Sequence, residues 1–151
     1  MAIYGGNDPT NMVLKTGETI KGPGKIIGVY DTTGVTPSAA NGIGIGVSVG
    51  DSTRTAAGVL QTTVGATVGV VPFGGVLYIQ AVAAETWNPG ALVYAQASGM
   101  AGQTSSSRKL IGVYVGEAGL VTAALVVNGA GDSGATEGTM IPVATSGALT
   151  A

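Results

Sequence analysis

Short apolar runs separated by Gly, Pro and Asn dominate the chain between residues 65 and 127. Each run has the length of a β-strand, is rich in Val, Ile, Leu and Tyr, and is bounded by residues that favour turns. Together with two earlier apolar runs, they predict strands at 25–30, 58–64, 67–72, 76–82, 90–94, 109–114 and 121–127. The pattern therefore indicates an all-β fold.

Glycine and proline leave almost no room for helices. The chain has 27 Gly and 6 Pro, and only Val76–Asn88 continues for 12 or more residues without either. An average helix needs about 11–12 residues, and the start of this run, Val76–Val82, is better explained as a strand. A length of 151 residues suits one domain with flexible ends.

Strict alternation marks the segment Ile43–Val49. It places four β-branched residues on one face and Gly44, Gly46 and Ser48 on the other. The small face would let another backbone come close. Because the segment is short and Gly-rich, we expect a partner strand on both of its edges.

The run Val76–Val82 is apolar on both faces, and Val121–Val127 is similar. Strands of this kind are usually covered on both sides. We therefore expect a second sheet or a neighbouring subunit against each face.

A short sequence occurs twice, as KIIGVY at 25–30 and as KLIGVY at 109–114. The repeat would fit two equivalent strands in a pseudo-symmetric barrel. It would equally fit a common strand sequence in a chain rich in Gly and Val. Nothing recurs at a fixed period of 20–50 residues, so a solenoid is not indicated.

The two ends of the chain differ from its centre. We predict an N-terminal arm at 1–19, a β-barrel-like domain at 20–128, and a C-terminal tail at 129–151 that is either flexible or docked on a partner. Apolar residues within these polar ends are the predicted partner contacts: Ile3, Tyr4, Met12, Val13 and Leu14 in the arm, and Met140, Ile141, Pro142 and Val143 in the tail.

Charge is sparse. Six basic and eight acidic residues give a net charge of −2. A compact chain of this size exposes roughly 6,900 Å², which leaves about 500 Å² for each charge. Soluble monomers usually carry about 25–35% charged surface. Either other protein covers much of the surface, which repeated β assembly favours, or Thr, Ser, Asn and Gly solvate it.

The same charges bear on possible partners. A nucleic-acid partner is not expected, because phosphate binding needs a basic patch and only Arg108 and Lys109 are adjacent. No run of 18 apolar residues lacks Gly, so no membrane span is expected. The first residues have neither the basic nor the apolar region of a signal peptide, which predicts synthesis and folding in a cytoplasm.

The chain offers little to catalysis. It has no His and no Cys, which removes His-based acid–base chemistry, thiolate nucleophiles and the usual zinc sites. The candidate carboxylates form no close pair in sequence, and carboxylates in turns usually accept backbone N–H groups. They are Asp31, Asp51, Glu85, Glu117, Asp132 and Glu137. We predict no catalytic residue, no metal site and no cofactor.

Trp87, the one tryptophan, precedes Asn88-Pro89-Gly90. Three interpretations are open. It can close one end of a barrel over the following turn, anchor an interface, or act as a ligand platform as in glycan-binding modules.

The block 65–127 resembles the small head decoration, or cement, proteins of tailed bacteriophages, in particular those with a compact β-barrel-like ("β-tulip") domain. The resemblance rests on the order and spacing of short motifs. These are Val68-Gly69-Val70, Gly75-Val76-Leu77-Tyr78, Gly90-Ala91-Leu92-Val93-Tyr94, the polar loop 99–107, Lys109-Leu110-Ile111-Gly112-Val113, the turn 116–119 and the Val-rich run 121–127.

The resemblance implies a small Gly-rich β-barrel or β-tulip-like sandwich with extended ends. It also implies a non-enzymatic role on the outside of an icosahedral capsid, commonly as a homotrimer that bridges major capsid proteins. One alternative is a glycan- or cell-binding module of a fibre or tail, with Trp87 and Tyr78 or Tyr94 as its platform. Another is a structural subunit that forms filaments.

Overall fold

The computed structural model describes residues 9–15, 18, 20, 22–31, 34–38, 43–49, 67–127 and 136–145. Within these ranges it contains fourteen strands and one short 3₁₀ turn, so the predicted all-β fold is confirmed. The strands are β1 (Thr10–Val13), β2 (Ile26–Asp31), β3 (Gly34–Pro37), β4 (Gly44–Ser48), β5 (Thr67–Pro72), β6 (Gly75–Ala81), β7 (Thr86–Trp87), β8 (Leu92–Ala95), β9 (Ala101–Gly102), β10 (Leu110–Tyr114), β11 (Leu120–Val121), β12 (Val126–Val127), β13 (Thr136–Glu137) and β14 (Thr139–Thr145). The 3₁₀ turn, η1, is Ala97–Gly99.

The first five strands form one antiparallel sheet in the order β1-β5-β4-β2-β3. Its two edge strands meet at one point, where Leu14 and Val35 form a parallel bridge. The backbone N–H of Lys15 also donates to the carbonyl of Val35 at 2.9 Å. The sheet therefore curls almost into a closed shape of its own.

The later strands form a closed barrel in the order β10-β14-β6-β9-β8. The longest pairing joins β14 to β6, from Thr139 opposite Ala81 to Thr145 opposite Gly75. All pairings in the barrel are antiparallel except the single parallel pair Ala81–Ala101. Two short pairs, β7 with β11 and β12 with β13, complete the described strands.

Two apolar cores fill the fold, and β2 contributes to both. Ile26 belongs to the barrel core, whereas its neighbour Ile27 belongs to the core of the first sheet. Val47 of β4 also reaches the barrel core. This alternation along β2 packs the first sheet onto the barrel.

Strand β4 behaves as its alternating pattern predicts. It lies between β2 and β5, so it has a partner on both edges. Gly46 has no room for a side chain, because a Cβ there would collide with the carbonyl oxygen of Val71 on β5. Ile43 and Val49, which flank the strand, are about half exposed, while Gly44 and Gly46 are buried.

The predicted tail is wrong for the part that the structure describes. Residues Thr139–Thr145 form β14, which lies between β6 and β10 and closes the barrel. Without this segment β6 and β10 would have no strand between them and the barrel would be open, so the segment pairs with two strands of its own chain. The domain therefore extends beyond residue 128.

The predicted arm also joins the fold. Strand β1 pairs with β5 along its whole length, from Thr10 opposite Val70 to Val13 opposite Thr67. The predicted boundary at residue 19 is therefore wrong, because this pairing places residues 10–13 within the first sheet.

The run Val121–Val127 is not one strand but two short ones, β11 and β12, with irregular backbone between them. The repeated sequences form β2 and β10, each with a partner strand on both edges, and a pairing irregularity lies next to Gly28 in one and Gly112 in the other. The strand predicted at 58–64 lies outside the described residues.

Candidate interaction surface

The outer side of the barrel carries an apolar row that crosses four strands. Leu92 lies opposite Val113, Val113 opposite Ala144, and Ala144 opposite Val76. Residues paired in this way point to the same side of a sheet. Leu92 is 48% exposed and Val76 is 56% exposed, so the row faces outward.

Apolar residues also lie on both sides of this row. Pro142 is opposite Tyr78, and Leu110 is opposite Tyr94. We define the outer wall as Val76, Tyr78, Leu92, Tyr94, Leu110, Val113, Val115, Pro142 and Ala144. The wall contains no charged residue, although Tyr78 is 60% exposed and Val115 is 45% exposed. An exposed apolar area of this kind is typical of a surface that binds another protein.

The wall corrects one expectation about the run Val76–Val82. Ile79 and Ala81 are fully buried in the barrel, as expected for one face. Val76 and Tyr78 on the other face are more than half exposed, so nothing in the described chain covers them. A second sheet, which was one of the two expected covers, does not lie against this face in the described part of the chain.

A groove of about 570 Å³ lies at the end of the wall where β10 ends. Its apolar lining includes Val76, Tyr78, Val115, Leu120 and Pro142, and Glu117 also lines it. The hydroxyl of Tyr114 donates to the backbone carbonyl of Glu117 at 2.8 Å. This hydrogen bond fixes the turn that carries the Glu117 carboxylate.

Charges lie at the two ends of β10. Arg108 and Lys109 directly precede the strand, and Glu117 follows it by three residues. In the described part of the chain, the ion pair found is Lys15–Glu18, with 3.8 Å between Nζ and Oε1. None of the charges at the ends of β10 is therefore in an ion pair with another described residue.

Lys25 is the unusual charged residue of the interior, since only 4% of it is exposed. Its Nζ lies 3.0 Å from Sδ of Met100, and its backbone N–H donates to Oγ of Ser48 at 2.9 Å. Burial lowers the pKa of Lys25 from 10.5 to about 8, and the negative charge of Glu137 opposes this shift. Because little of the amine reaches solvent, the arrangement suits packing better than chemistry.

Glu85 organises one end of the barrel. Its carboxylate accepts the backbone N–H of Gln103, with distances of 3.1 Å and 3.3 Å to the two oxygens. Its own N–H donates to Oγ1 of Thr122 at 3.0 Å. Burial raises the pKa of Glu85, and the hydrogen bond from Gln103 opposes that shift. This carboxylate thus accepts a backbone N–H, as predicted for acids in turns.

The predicted carboxylates do not assemble into a metal site in the described residues. No group of three potential metal ligands occurs there. Asp51 and Asp132 lie outside those residues.

Trp87 is a core residue. It is fully buried, and its ring centroid lies 5.5 Å from that of Tyr114 with the ring planes at 45°. Full burial in the barrel core leaves Trp87 no exposed surface with which to anchor an interface or hold a ligand, and it is compatible with the interpretation that Trp87 closes one end of the barrel over the following turn. Tyr78 lies on the outer wall, so it cannot form a joint platform with Trp87.

The predicted contacts of the tail divide into two groups. Ile141 and Val143 are fully buried in the barrel core, so the prediction that they bind a partner is wrong. Met140 is 37% exposed and Pro142 is partly exposed, because the intervening residues of a strand point to the other side. These two remain available to a partner.

The predicted contacts of the arm divide in the same way. Leu14 is only 3% exposed and packs in the core of the first sheet, so its predicted partner role is wrong. Val13 is 50% exposed and Met12 is partly buried. Ile3 and Tyr4 lie outside the described residues.

Several exposed residues were not among the predicted contacts, namely Val76, Leu92, Val115 and Val121, and Tyr78 was named only for the glycan-binding alternative. The signal was present in the run Val76–Val82, which is apolar on both faces. Alternation shows that two faces exist, but it does not show which of two apolar faces points inward. Only the closure of the barrel decides this.

Exposed apolar residues also occur on and beside the first sheet. Val13, Val29, Ile43 and Val49 are each between 47% and 60% exposed. Apolar surface is thus distributed over both layers of the fold.

A scan of protein-family models, a search of curated proteins and a search of solved structures each find no match to this chain. Among the described residues, no helix is long and apolar enough to cross a membrane.

Proposed function

We propose that this chain is a capsid decoration, or cement, protein, which binds the outside of an icosahedral phage head and bridges major capsid proteins. The observation that carries the proposal is the outer wall, an uncharged apolar surface on four strands of the barrel. Such a surface favours association with protein and gives no support to binding a charged ligand.

Bridging requires more than one contact surface. The exposed apolar residues of the first sheet, such as Val29 and Val49, lie on a different layer from the outer wall. One chain can therefore contact two neighbours at once. Each contact is modest, and many linked copies gain strength from effective concentration.

The phage resemblance at 65–127 adds the identity of the partners. It supports a role on the particle exterior, with the major capsid protein and further copies of this chain, as a homotrimer, as partners. In this proposal the chain has no catalytic role and needs no cofactor, nucleic acid or membrane. The glycan-binding alternative loses its support, because Trp87 is fully buried.

The test is a density-gradient separation of virus particles from a source lysate, with quantitative mass spectrometry across the fractions. We expect the chain to sediment with particles at a copy number comparable to that of the major shell protein. A few copies per particle would instead indicate a fibre or tail component. Absence from particles would contradict the proposal.

A matched pair of variants tests the surface. Val76→Asp places a charge on the outer wall, whereas Val121→Asp places one on a residue that is 61% exposed and lies off the wall. If the outer wall contributes to binding, purified Val76→Asp should decorate stripped particles less fully than Val121→Asp does. Equal occupancy would show that the wall does not contribute to particle binding.

A further inference from the structure

Opposite charges at the two ends of β10 suggest what covers the outer wall. Val113 is the central residue of the segment 109–117, with Lys109 four residues before it and Glu117 four residues after it. Between them the wall carries no charge. A partner that covers the wall should therefore be apolar in the middle, acidic at one end and basic at the other.

A second copy of the same wall meets this requirement in one orientation. When two walls pack face to face with their β10 strands antiparallel, the Arg108–Lys109 end of one copy lies over the Glu117 end of the other. The parallel orientation would instead bring like charges together. In aligned sheet packing the mean strand directions of the two sheets stay within about 30°, so this match extends along β10.

The antiparallel arrangement also brings apolar residues together at both ends of β10. The groove lined by Tyr78, Val115 and Pro142 lies at the Glu117 end. The apolar pair Tyr94 and Leu110 lies at the other end, next to Arg108. The two-fold rotation keeps each strand over its own copy, so Leu110 of each copy lies over Val115 at the β10 side of the other copy's groove, and this contact occurs twice.

We propose that the outer wall binds the outer wall of a second copy of this chain about a two-fold axis. The axis lies in the plane of contact and crosses β10 near Val113. An interface of this type is self-complementary, so each residue on the axis faces its own copy. The row Leu92–Val113–Ala144–Val76 follows the axis across the four strands.

This inference names a partner for the surface on which the proposed function rests. A two-fold contact joins copies in pairs. A homotrimer, as implied by the phage resemblance, would have to use another surface, and the two-fold contact would then link neighbouring trimers. Capsid binding would be left to the apolar residues of the first sheet and to the parts of the wall that the pairing leaves open.

The first test is sedimentation equilibrium of the full chain over a range of concentrations at low salt. We expect reversible pairing that Glu117→Lys weakens roughly tenfold, because two exposed charge pairs are lost and replaced by repulsion. Adding Lys109→Glu to that variant leaves the net charge at its original value and should recover much of the affinity. Both positions lie at the edge of the wall, so these variants should fold.

The second test changes Val113, which lies on the proposed two-fold axis. Val113→Asp brings two carboxylates together across the two-fold, and Val113→Lys brings two ammonium groups together. Each variant alone should be impaired in pairing, and an equimolar mixture should form mixed pairs. Circular dichroism melts of each variant confirm folding before the mixing experiment, and the variants at Glu117 and Lys109 serve if the Val113 variants unfold.

Several outcomes would overturn the inference. One is a chain that stays monomeric at all concentrations, and another is pairing that neither Glu117→Lys nor Val113→Asp affects. A chain that is monomeric in solution yet abundant on particles would overturn this inference and leave the proposed function standing. A chain that pairs as described but is absent from particles would support this inference and contradict the proposed function.

Discussion

The Nζ of Lys25 lies 3.0 Å from Sδ of Met100, in a side chain that is only 4% exposed. The folded chain therefore holds an ammonium group where little water reaches it. Burial lowers the pKa of Lys25 to about 8 from 10.5.

This contact predicts how stability depends on pH. Because the unfolded chain binds the proton more tightly than the folded chain, the free energy of unfolding should rise as pH increases from about 8 to about 10. Below pH 8 the cost of burying the charge is fully present, and it amounts to at most about 3 kcal/mol. Lys25→Met should remove the rise and stabilise the chain at pH 7. Urea denaturation at several pH values measures this, with the partly exposed Lys109→Met as the control that should keep the rise.

Above pH 10 a second group should reverse the trend. Tyr114 is fully buried, and burial together with the nearby Glu117 raises its pKa. The folded chain then holds the proton more tightly than the unfolded chain, so stability falls as pH rises beyond 10. Tyr114→Phe should abolish this fall and cost about 1 kcal/mol at neutral pH, because the hydrogen bond to Glu117 is lost. A fall that persists in Tyr114→Phe would assign it to another group.

Neighbouring residues of β14 give opposite expectations. Ile141 is fully buried in the barrel core, whereas Met140 is 37% exposed on the other side of the strand. Ile141→Ala should lower the free energy of unfolding by about 2–5 kcal/mol, and Met140→Ala should cost clearly less. Equal losses in urea denaturation would mean that residues 139–145 are not a strand of the barrel.

The misassigned tail shows where local sequence information ends. Ile43–Val49 was predicted correctly because its alternation is a local property. The segment 139–145 is equally a strand, but its small polar surroundings suggested a flexible tail. The space that it fills lies between β6 and β10, which are 25 or more residues away in sequence. No local pattern contains that information.

The candidate surface was predictable only in part. The sparse charge favoured a surface covered by other protein over one solvated by Thr, Ser, Asn and Gly. The residues proposed for those contacts were apolar residues in polar surroundings, and Leu14, Ile141 and Val143 proved to be core residues. Val76 and Tyr78 are exposed but lie within a strand that is apolar on both faces, so the sequence does not distinguish them from the buried residues beside them.

Two glycines of the barrel should respond differently to alanine. A Cβ at Gly112 would collide with the carbonyl oxygen of Ala144 on β14, so Gly112→Ala should disrupt the strand pairing. Gly119 has open space around it but a φ of +77°, so Gly119→Ala should cost only about 1–2 kcal/mol. Gly119→Asn should cost less, since Asn tolerates this conformation. A lower melting temperature for Gly119→Ala than for Gly112→Ala would contradict the close packing at Gly112.

The single tryptophan provides a test of the barrel interior in the unmodified protein. Trp87 is fully buried beside Tyr114, so its fluorescence should be blue-shifted and poorly quenched by iodide until the chain unfolds. Its indole Nε1 is buried and has no hydrogen-bond partner in the described part of the chain. Trp87→Phe should therefore lose packing volume but no hydrogen bond, and should cost less than the roughly 3–5 kcal/mol expected for Trp87→Ala. An equal cost for the two variants would contradict the close packing around the ring of Trp87, and a change of Trp87 fluorescence on adding glycans would restore the ligand-platform interpretation.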